Sequence, residues 1–174
     1  NPQNIYGSSK LAGERAIQAV DAPHLILRTA WVYGRRGKNF LLTMQRLASE
    51  KPLLKVVDDQ VGAPTWSRLL AEATAHIVAQ GLSRGQDSVT SYIRQRSGVY
   101  HMSCAGQTSW HGFAGAILAG ANTSTQLQPI PSSEYPTPAA RPAYSVLGNE
   151  QLAQTFGITL PDWRAALEMV LAEN

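Results

Sequence analysis

The sequence predicts an α/β protein, organised as a single domain over residues 1–174. Segments with the apolar spacing of helices alternate with short apolar runs of strand length, the pattern of α/β architecture. Hydrophobic residues make up 44% and charged residues 16% of the chain, the balance of a folded protein rather than of a disordered tail. Its 174 residues suffice to bury one core.

Taken in order, Ile5, Leu11, Ala12, Ala16, Ala19 and Val20 fall near helical spacing and predict a helix over about 4–20. Pro23 ends the connection, and His24-Leu25-Ile26-Leu27-Arg28-Thr29 reads as a short buried strand. A loop from Tyr33 to Lys38 leads to a second helix, Asn39 to Ser49, with Phe40, Leu41, Met44 and Leu47 on one face. Leu53 to Val57 is strand-like, and a polar loop follows from Asp58 to Thr65. Ser67 is expected to N-cap a third helix reaching Gln80. Residues 81–97, rich in Ser, Gly, Gln and Arg, read as a surface loop or insertion. Gly98 to Ser103 is another strand, and Thr108 or Ser109 caps a small-residue helix from Trp110 to Ala119. Gln126 to Ile130 reads as a strand. Five prolines between Pro129 and Pro142 exclude regular helix or central strand there. Two short helices, about 150–156 and 162–172, close the chain on either side of Gly157-Ile158-Thr159-Leu160-Pro161.

Several function classes are disfavoured at once. No apolar run approaches the ~20 residues of a transmembrane helix, so no membrane partner is expected. The net charge is +3, and Arg35-Arg36-Gly37-Lys38 is the single basic cluster, which is too sparse for a nucleic-acid stripe. A mild positive balance suits a small anionic ligand such as a nucleotide diphosphate. The single cysteine, Cys104, excludes an internal disulfide framework and reads as a small buried residue in a reducing cytoplasm. His101 and His111 lack metal-ligand spacing, and the adjacent Asp58-Asp59 is no metal site by itself, so no metal ligand is assigned. Gly34-Arg35-Arg36-Gly37 has the wrong spacing for a dinucleotide fingerprint. The opening Asn1-Pro2-Gln3-Asn4 has neither an initiator Met nor a signal peptide, and an excised piece of a longer protein is expected.

Tyr6-Gly7-Ser8-Ser9-Lys10 sets a tyrosine and a lysine four residues apart at a helix start, where both head groups can reach one ligand. A neighbouring ammonium favours the phenolate and so makes the hydroxyl a competent acid toward the oxygen of a carbonyl being reduced. The lysine can also hydrogen-bond two ribose hydroxyls of a nicotinamide nucleotide. Such a pair arises by chance in many helices, so its surroundings decide its weight.

Pro2-x-Asn4-x-Tyr6-Gly7-x-Ser9-Lys10-Leu11-x-Gly13-Glu14 closely resembles the catalytic helix of extended short-chain dehydrogenase/reductases. Its continuation is similar to the dTDP-4-dehydrorhamnose reductase family. Further matches follow in family order: Leu27-Arg28-Thr29-Ala30-Trp31-Val32-Tyr33-Gly34, Gly37-x-Asn39-Phe40 and Asp59-Gln60-x-Gly62-x-Pro64-Thr65. Tyr100-His101, Ser109-Trp110 with Phe113-Ala114, Arg141-Pro142-x-x-Ser145-x-Leu147 and Trp163 complete the set, which spans essentially the whole chain.

The resemblance implies the C-terminal portion of a doubly wound, Rossmann-like parallel sheet plus a small α/β substrate-binding lobe. It implies NAD(P)H-dependent reduction of the C4 ketone of dTDP-4-dehydro-L-rhamnose to dTDP-L-rhamnose, a surface-polysaccharide precursor. Tyr6 would be the general acid, Lys10 would hold the ribose and tune Tyr6, and Ala30 would lie along the nicotinamide by its backbone. Trp31 would wall the sugar pocket, with a core tryptophan as the rival reading. Asn39 and Arg141 would contact the diphosphate, a helix cap being the alternative for Asn39. Asp59, Gln60, Pro64 and Thr65 would surround the nucleoside end. Arg28 reads instead as one half of a structural ion pair, and Trp110 and Trp163 as core.

The family's glycine-rich dinucleotide-binding half, and the upstream Ser or Thr that bonds the carbonyl oxygen, fall outside these 174 residues. The main site for NADPH or NADH is therefore expected elsewhere in the protein, and the isolated chain is expected to be inactive. Magnesium and a homodimer are left open. Tyr144 stands where the family has Asn, and Gly148 where it often has Asp, which bears on the identity of the sugar. Two other readings remain: a different extended short-chain nucleotide-sugar reductase or epimerase, and a non-catalytic regulatory relative of the same fold.

Overall fold

Helix α1 (Ile5–Ala19) starts where Asn4, in extended backbone, accepts a hydrogen bond from the Gly7 N–H at 2.8 Å, supplying a partner that a helix start lacks. The computed structural model describes residues 2–83, 88–121, 123–139 and 141–173. A short connection leads to β1 (Leu25–Arg28), which pairs in parallel with β6 (Gly98–His101), Leu25 opposite Gly98 and Arg28 opposite His101.

The chain then leaves that pair and builds the rest. Strand β2 (Val32–Tyr33) pairs in parallel with β5 (Thr65–Trp66), and β3 (Leu53–Val57) in parallel with β8 (Gln126–Ile130). Strand β4 (Val61–Gly62) runs antiparallel to β7 (Thr108–Ser109). Among the described residues the strands thus form four two-stranded sheets, three of them parallel. Parallel partners need long crossovers, and helices supply them. They are α2 (Phe40–Glu50), α3 (Ser67–Leu82), α4 (Ser88–Arg94) and α5 (Trp110–Leu118). A 3₁₀ turn (Ser132–Glu134), α6 (Glu150–Phe156) and α7 (Trp163–Ala172) complete the order. The α/β class holds.

The core is centred on α5. Its Phe113 and Ala114 are 0% exposed, Ile117 is 1% exposed, and the helix packs against α2, β3 and β8. Leu152 of α6, Ile77 of α3, and Ala166 and Leu167 of α7 close around it. Each fully buried side chain of Phe, Ile or Leu size contributes about 1.5–3 kcal/mol. The Phe113 ring meets those of Tyr33, Phe40 and Trp163, so aromatic contact runs from β2 and α2 to the last helix.

Two expectations are corrected. Ser67 is the first residue of α3 rather than its cap; Trp66 takes the cap position and gives no side-chain bond. The stretch 81–97 is not all loop, for α4 occupies its middle, while residues 84–87 lie outside the described residues. Val89, Tyr92 and Ile93 lie at helical spacing there, and Tyr92 donates to Gln80 Oε1 at 2.6 Å. Gln80 in turn donates to the Phe156 carbonyl at 2.8 Å, so α3, α4 and α6 are joined by one side chain. Strand β8 stands where it was expected and includes Pro129; among the described residues β3 is its one sheet partner, and a strand on a sheet edge tolerates a residue without an N–H. The short strands β2, β4, β5 and β7 were not visible in the sequence because two residues carry no periodicity.

Candidate active site

Tyr6 and Lys10 stand one turn apart in the first half of α1, and both are exposed, Tyr6 at 69%. The Lys10 ammonium lies 5.4 Å from the centre of the Tyr6 ring. The next residue of that stripe, Glu14, accepts a fork from Arg28 at the end of β1, Nε to Oε1 at 2.8 Å and a second nitrogen to Oε2 at 2.5 Å. The bonds from Arg28 hold the Glu14 carboxyl below its ordinary range, and Glu14 raises Arg28 in return. Arg28 is thus the structural ion-pair partner expected of it. Because the fork pins residue 14 at the strand end, Lys10 and Tyr6 stand about one and two helical turns beyond it. That is the carboxyl end of β1, where doubly wound sheets place their ligands. The opposite face of α1, with Ser8, Leu11, Ala12 and Arg15, borders an open cleft of about 500 Å³.

From the end of β1 the chain runs through half-buried Ala30 to Trp31, whose φ of 50° lies in the left-handed region. Trp31 lies flat on Trp110, ring centroids 3.5 Å apart and planes 4° from parallel. Trp31 is half-buried rather than a core residue, and Trp110 is half-buried and packed against the core. Sequence reasoning missed their stack, and the presence of two tryptophans in ordered family matches was the available signal.

The remaining expected residues divide. Asn39 caps α2, accepting from the Leu42 N–H at 3.3 Å, and its amide donates to the carbonyls of Gly34 and Arg36 at 2.8 and 3.2 Å. Both amide donors bond carbonyls of its own loop, so Asn39 fills the cap role that was the alternative to a diphosphate contact. Asp59 accepts from the Ser132 N–H with both oxygens at 2.9 Å and from the Ser132 hydroxyl at 2.9 Å, and those bonds hold its carboxyl low. It ties the loop after β3 to the 3₁₀ turn after β8. Pro64 and Thr65 are buried, Thr65 at 0% exposure, and the Thr65 hydroxyl donates to Ala63 O and accepts from the Cys104 N–H. Both lie below the surface of that loop. Gln60 is half-buried and Arg141 exposed.

Segment 143–145 is held against β4 by two backbone bonds of 2.8 Å with Val61, so Arg141 stands at the rim of the β4–β7 ribbon. Tyr144 is exposed there and its hydroxyl donates to Gln107 at 3.0 Å, so it faces outward at that rim. An open cleft of about 850 Å³ lies elsewhere, lined by residues 32–39, Trp66, Ser67, Arg68 and Glu173. Of the expected site residues Asn39 alone reaches it, so the larger cleft is not the place where the chemistry-bearing residues meet. Among the described residues no group of three or more His, Cys, Asp or Glu is arranged for a metal, and no helix is long and apolar enough to cross a membrane.

Against this geometry, a family model described as the RmlD substrate binding domain matches residues 1–174. The chain is 49% identical over 181 residues to a dTDP-4-dehydrorhamnose reductase of Burkholderia thailandensis, covering 99% of this chain and 59% of that protein. The crystal structure of dTDP-4-dehydrorhamnose reductase from Bacillus anthracis in complex with NADP superposes with a TM-score of 0.87 at 34% identity, covering 100% of this chain and 57% of that one. A reductase structure from Clostridium acetobutylicum gives a TM-score of 0.85 at 36% identity over 98% of this chain and 56% of that one. The chain therefore spans between half and two thirds of the length of these relatives.

Proposed function

The chain belongs to the RmlD substrate binding domain family, and from that premise we propose that it is the substrate-binding and proton-donating part of an NAD(P)H-dependent reductase. The reaction is reduction of the C4 ketone of dTDP-4-dehydro-L-rhamnose to dTDP-L-rhamnose, a nucleotide-sugar precursor of surface polysaccharide. The observation that carries this reading is the exposed Tyr6 and Lys10 pair on a capped helix, pinned by Glu14 and Arg28 at the end of β1.

These residues fit a nicotinamide cofactor, for the Lys10 ammonium has three N–H donors suited to ribose hydroxyls and is exposed beside Tyr6. The bound cofactor supplies the hydride. Tyr6 holds the proton that passes to the sugar O4 as the carbonyl carbon is reduced, which leaves the C4 hydroxyl of the product. Lys10 orients the ribose and, as a cation beside the phenol, favours the tyrosinate left after proton transfer. The Ala30 backbone would lie along the nicotinamide, Trp31 would wall the sugar, and Asp59, Gln60, Pro64 and Thr65 would surround the nucleoside. Arg141, exposed at the rim of the β4–β7 ribbon, offers a planar fork for the diphosphate. A cytoplasmic location and a homodimer are parts of this reading, and sedimentation of the full-length protein tests the second.

The deciding experiment is turnover of dTDP-4-dehydro-L-rhamnose by the full-length protein with NADPH and with NADH. Reduction of the sugar with either cofactor is the expected result. Absence of reduction, with dTDP still bound, would favour the non-catalytic relative, and turnover of a different nucleotide sugar would favour another short-chain reductase or epimerase.

A further inference from the structure

Trp31 breaks two local rules at once. A bulky side chain with φ of 50° is backbone strain, and strain of this kind persists only where neighbours over-determine it. The neighbours are identifiable. One face of the indole is covered by Trp110 at 3.5 Å. At Gly62 a Cβ would stand 2.3 Å from indole Cε2, 2.6 Å from Nε1 and 2.8 Å from Cδ2. Those three distances place the Gly62 backbone over the ring, and the near-complete stack with Trp110 leaves room for it only on the opposite face. The indole is therefore a slab between a glycine of β4 and a tryptophan of α5.

Both jaws are fixed from behind. Gly62 lies in the β4–β7 ladder opposite Thr108. Trp110 opens α5 just after Ser109, whose hydroxyl caps the helix by accepting from the Gly112 N–H at 2.9 Å and itself donates to Asp58. Phe40 leans on Trp110 at 4.6 Å. The Trp31 carbonyl accepts from the Thr65 N–H at 3.1 Å, so its main chain is tied to buried β5 as well.

We infer that Gly62 and Trp110 are positioning residues that clamp the Trp31 indole and so set the wall against which the sugar ring is selected. The inference rests on the reductase reading, in which Trp31 meets the sugar. Gly62 is required because any side chain would drive the indole into Trp110, which it already touches; a ring so confined must leave its place altogether. Trp110 is required because without it nothing holds the ring down on Gly62.

The test uses the full-length protein. Gly62→Ala and Trp110→Ala should each raise KM for the dTDP-sugar about tenfold, the scale of one pocket contact, with kcat within about threefold. Trp110→Phe, which keeps a stacking face, should recover most of the loss. In a Trp31→Ala background the increment from Gly62→Ala should vanish, since a residue acting through Trp31 has nothing left to act on. The stack is also readable without substrate: ring current from Trp110 should shift the Trp31 indole N–H resonance upfield in ¹⁵N-tryptophan-labelled protein, and Gly62→Ala should abolish that shift. An unchanged KM in both alanine variants, an increment that persists without Trp31, or an upfield resonance retained in Gly62→Ala overturns the clamp. A wild-type protein that shows the shifted resonance, loses it in Gly62→Ala, and reduces no dTDP-sugar would instead overturn the reductase reading and leave the clamp standing.

Discussion

Tyr33 is 2% exposed, yet among the described residues no protein group bonds its hydroxyl. Burial pushes its phenol well above the usual range, and nearby Cys104 adds to the shift. A buried donor without a partner costs about 1–3 kcal/mol, while the ring itself is well used, edge-on to Phe113 at 5.1 Å. Tyr33→Phe should therefore leave the melting temperature unchanged or raise it; a fall of several degrees would show that a water bonds the hydroxyl. Tyr6 is the opposite case, exposed and placed for chemistry. Tyr6→Phe in the full-length protein should cut kcat about 10²-fold or more with little change in substrate binding, and near-normal turnover would remove it from the acid role. The residue scale is also where the sequence was least legible. Asn39, Asp59 and Thr65 were all expected at a ligand, and each also bonds within the protein, Asn39 to its own loop, Asp59 to Ser132, and Thr65 to Ala63 and Cys104. A motif records which residue type stands at a position, but not whether the ligand or the loop uses it.

At the scale of elements, α1 is the unusual one. None of its residues is buried, and the Arg28–Glu14 fork ties it to β1. Its sequence shows why: Ile5, Leu11, Ile17 and Val20 are too dispersed to make one strong stripe over this core. The fork carries a pH dependence. Because the folded-state value of Glu14 is lowered, its contribution is complete above the unfolded carboxylate value and is lost as pH falls through the folded one. Amide protection of α1 should therefore drop below about pH 4 in the wild type, and be low and insensitive to pH in Glu14→Gln. Since Arg28 is 43% exposed, little global stability is at stake. The cost should appear in function, as weaker cofactor binding and lower kcat in Glu14→Gln with an almost unchanged melting temperature; an unaltered kcat would show that α1 is positioned without the fork. Helices of this kind were legible because their periodicity and caps are local. Helix α4 was not, since its apolar residues Val89, Tyr92 and Ile93 lie in a stretch whose Ser, Gln and Arg content resembles a loop.

For the molecule as a whole, the α/β class was legible and the pairing of strands was not. Leu53 opposite Gln126, or Leu25 opposite Gly98, joins positions more than seventy residues apart, and nothing local encodes that register. The same long-range view governs how the 174-residue chain should behave alone. Ile5 is 88%, Val20 70% and Ile17 48% exposed along α1, and among the described residues β1 has β6 as its one sheet neighbour. Exposed apolar side chains beside an open strand edge favour self-association, which sedimentation of the isolated chain would detect as a concentration-dependent mass. Ligand affinity should be uneven. With Asn39 bonded to its own loop and Asp59 to Ser132, affinity for dTDP should rest chiefly on Arg141 and Gln60, so it should be weak, decline with added salt, and disappear in Arg141→Ala. NADPH should bind less well still, because Lys10 offers a ribose contact but no glycine turn at a helix start is present to hold a pyrophosphate. Calorimetric titration of the isolated chain with each ligand decides the matter, and NADPH binding tighter than dTDP would mean that the cofactor site lies within these 174 residues after all.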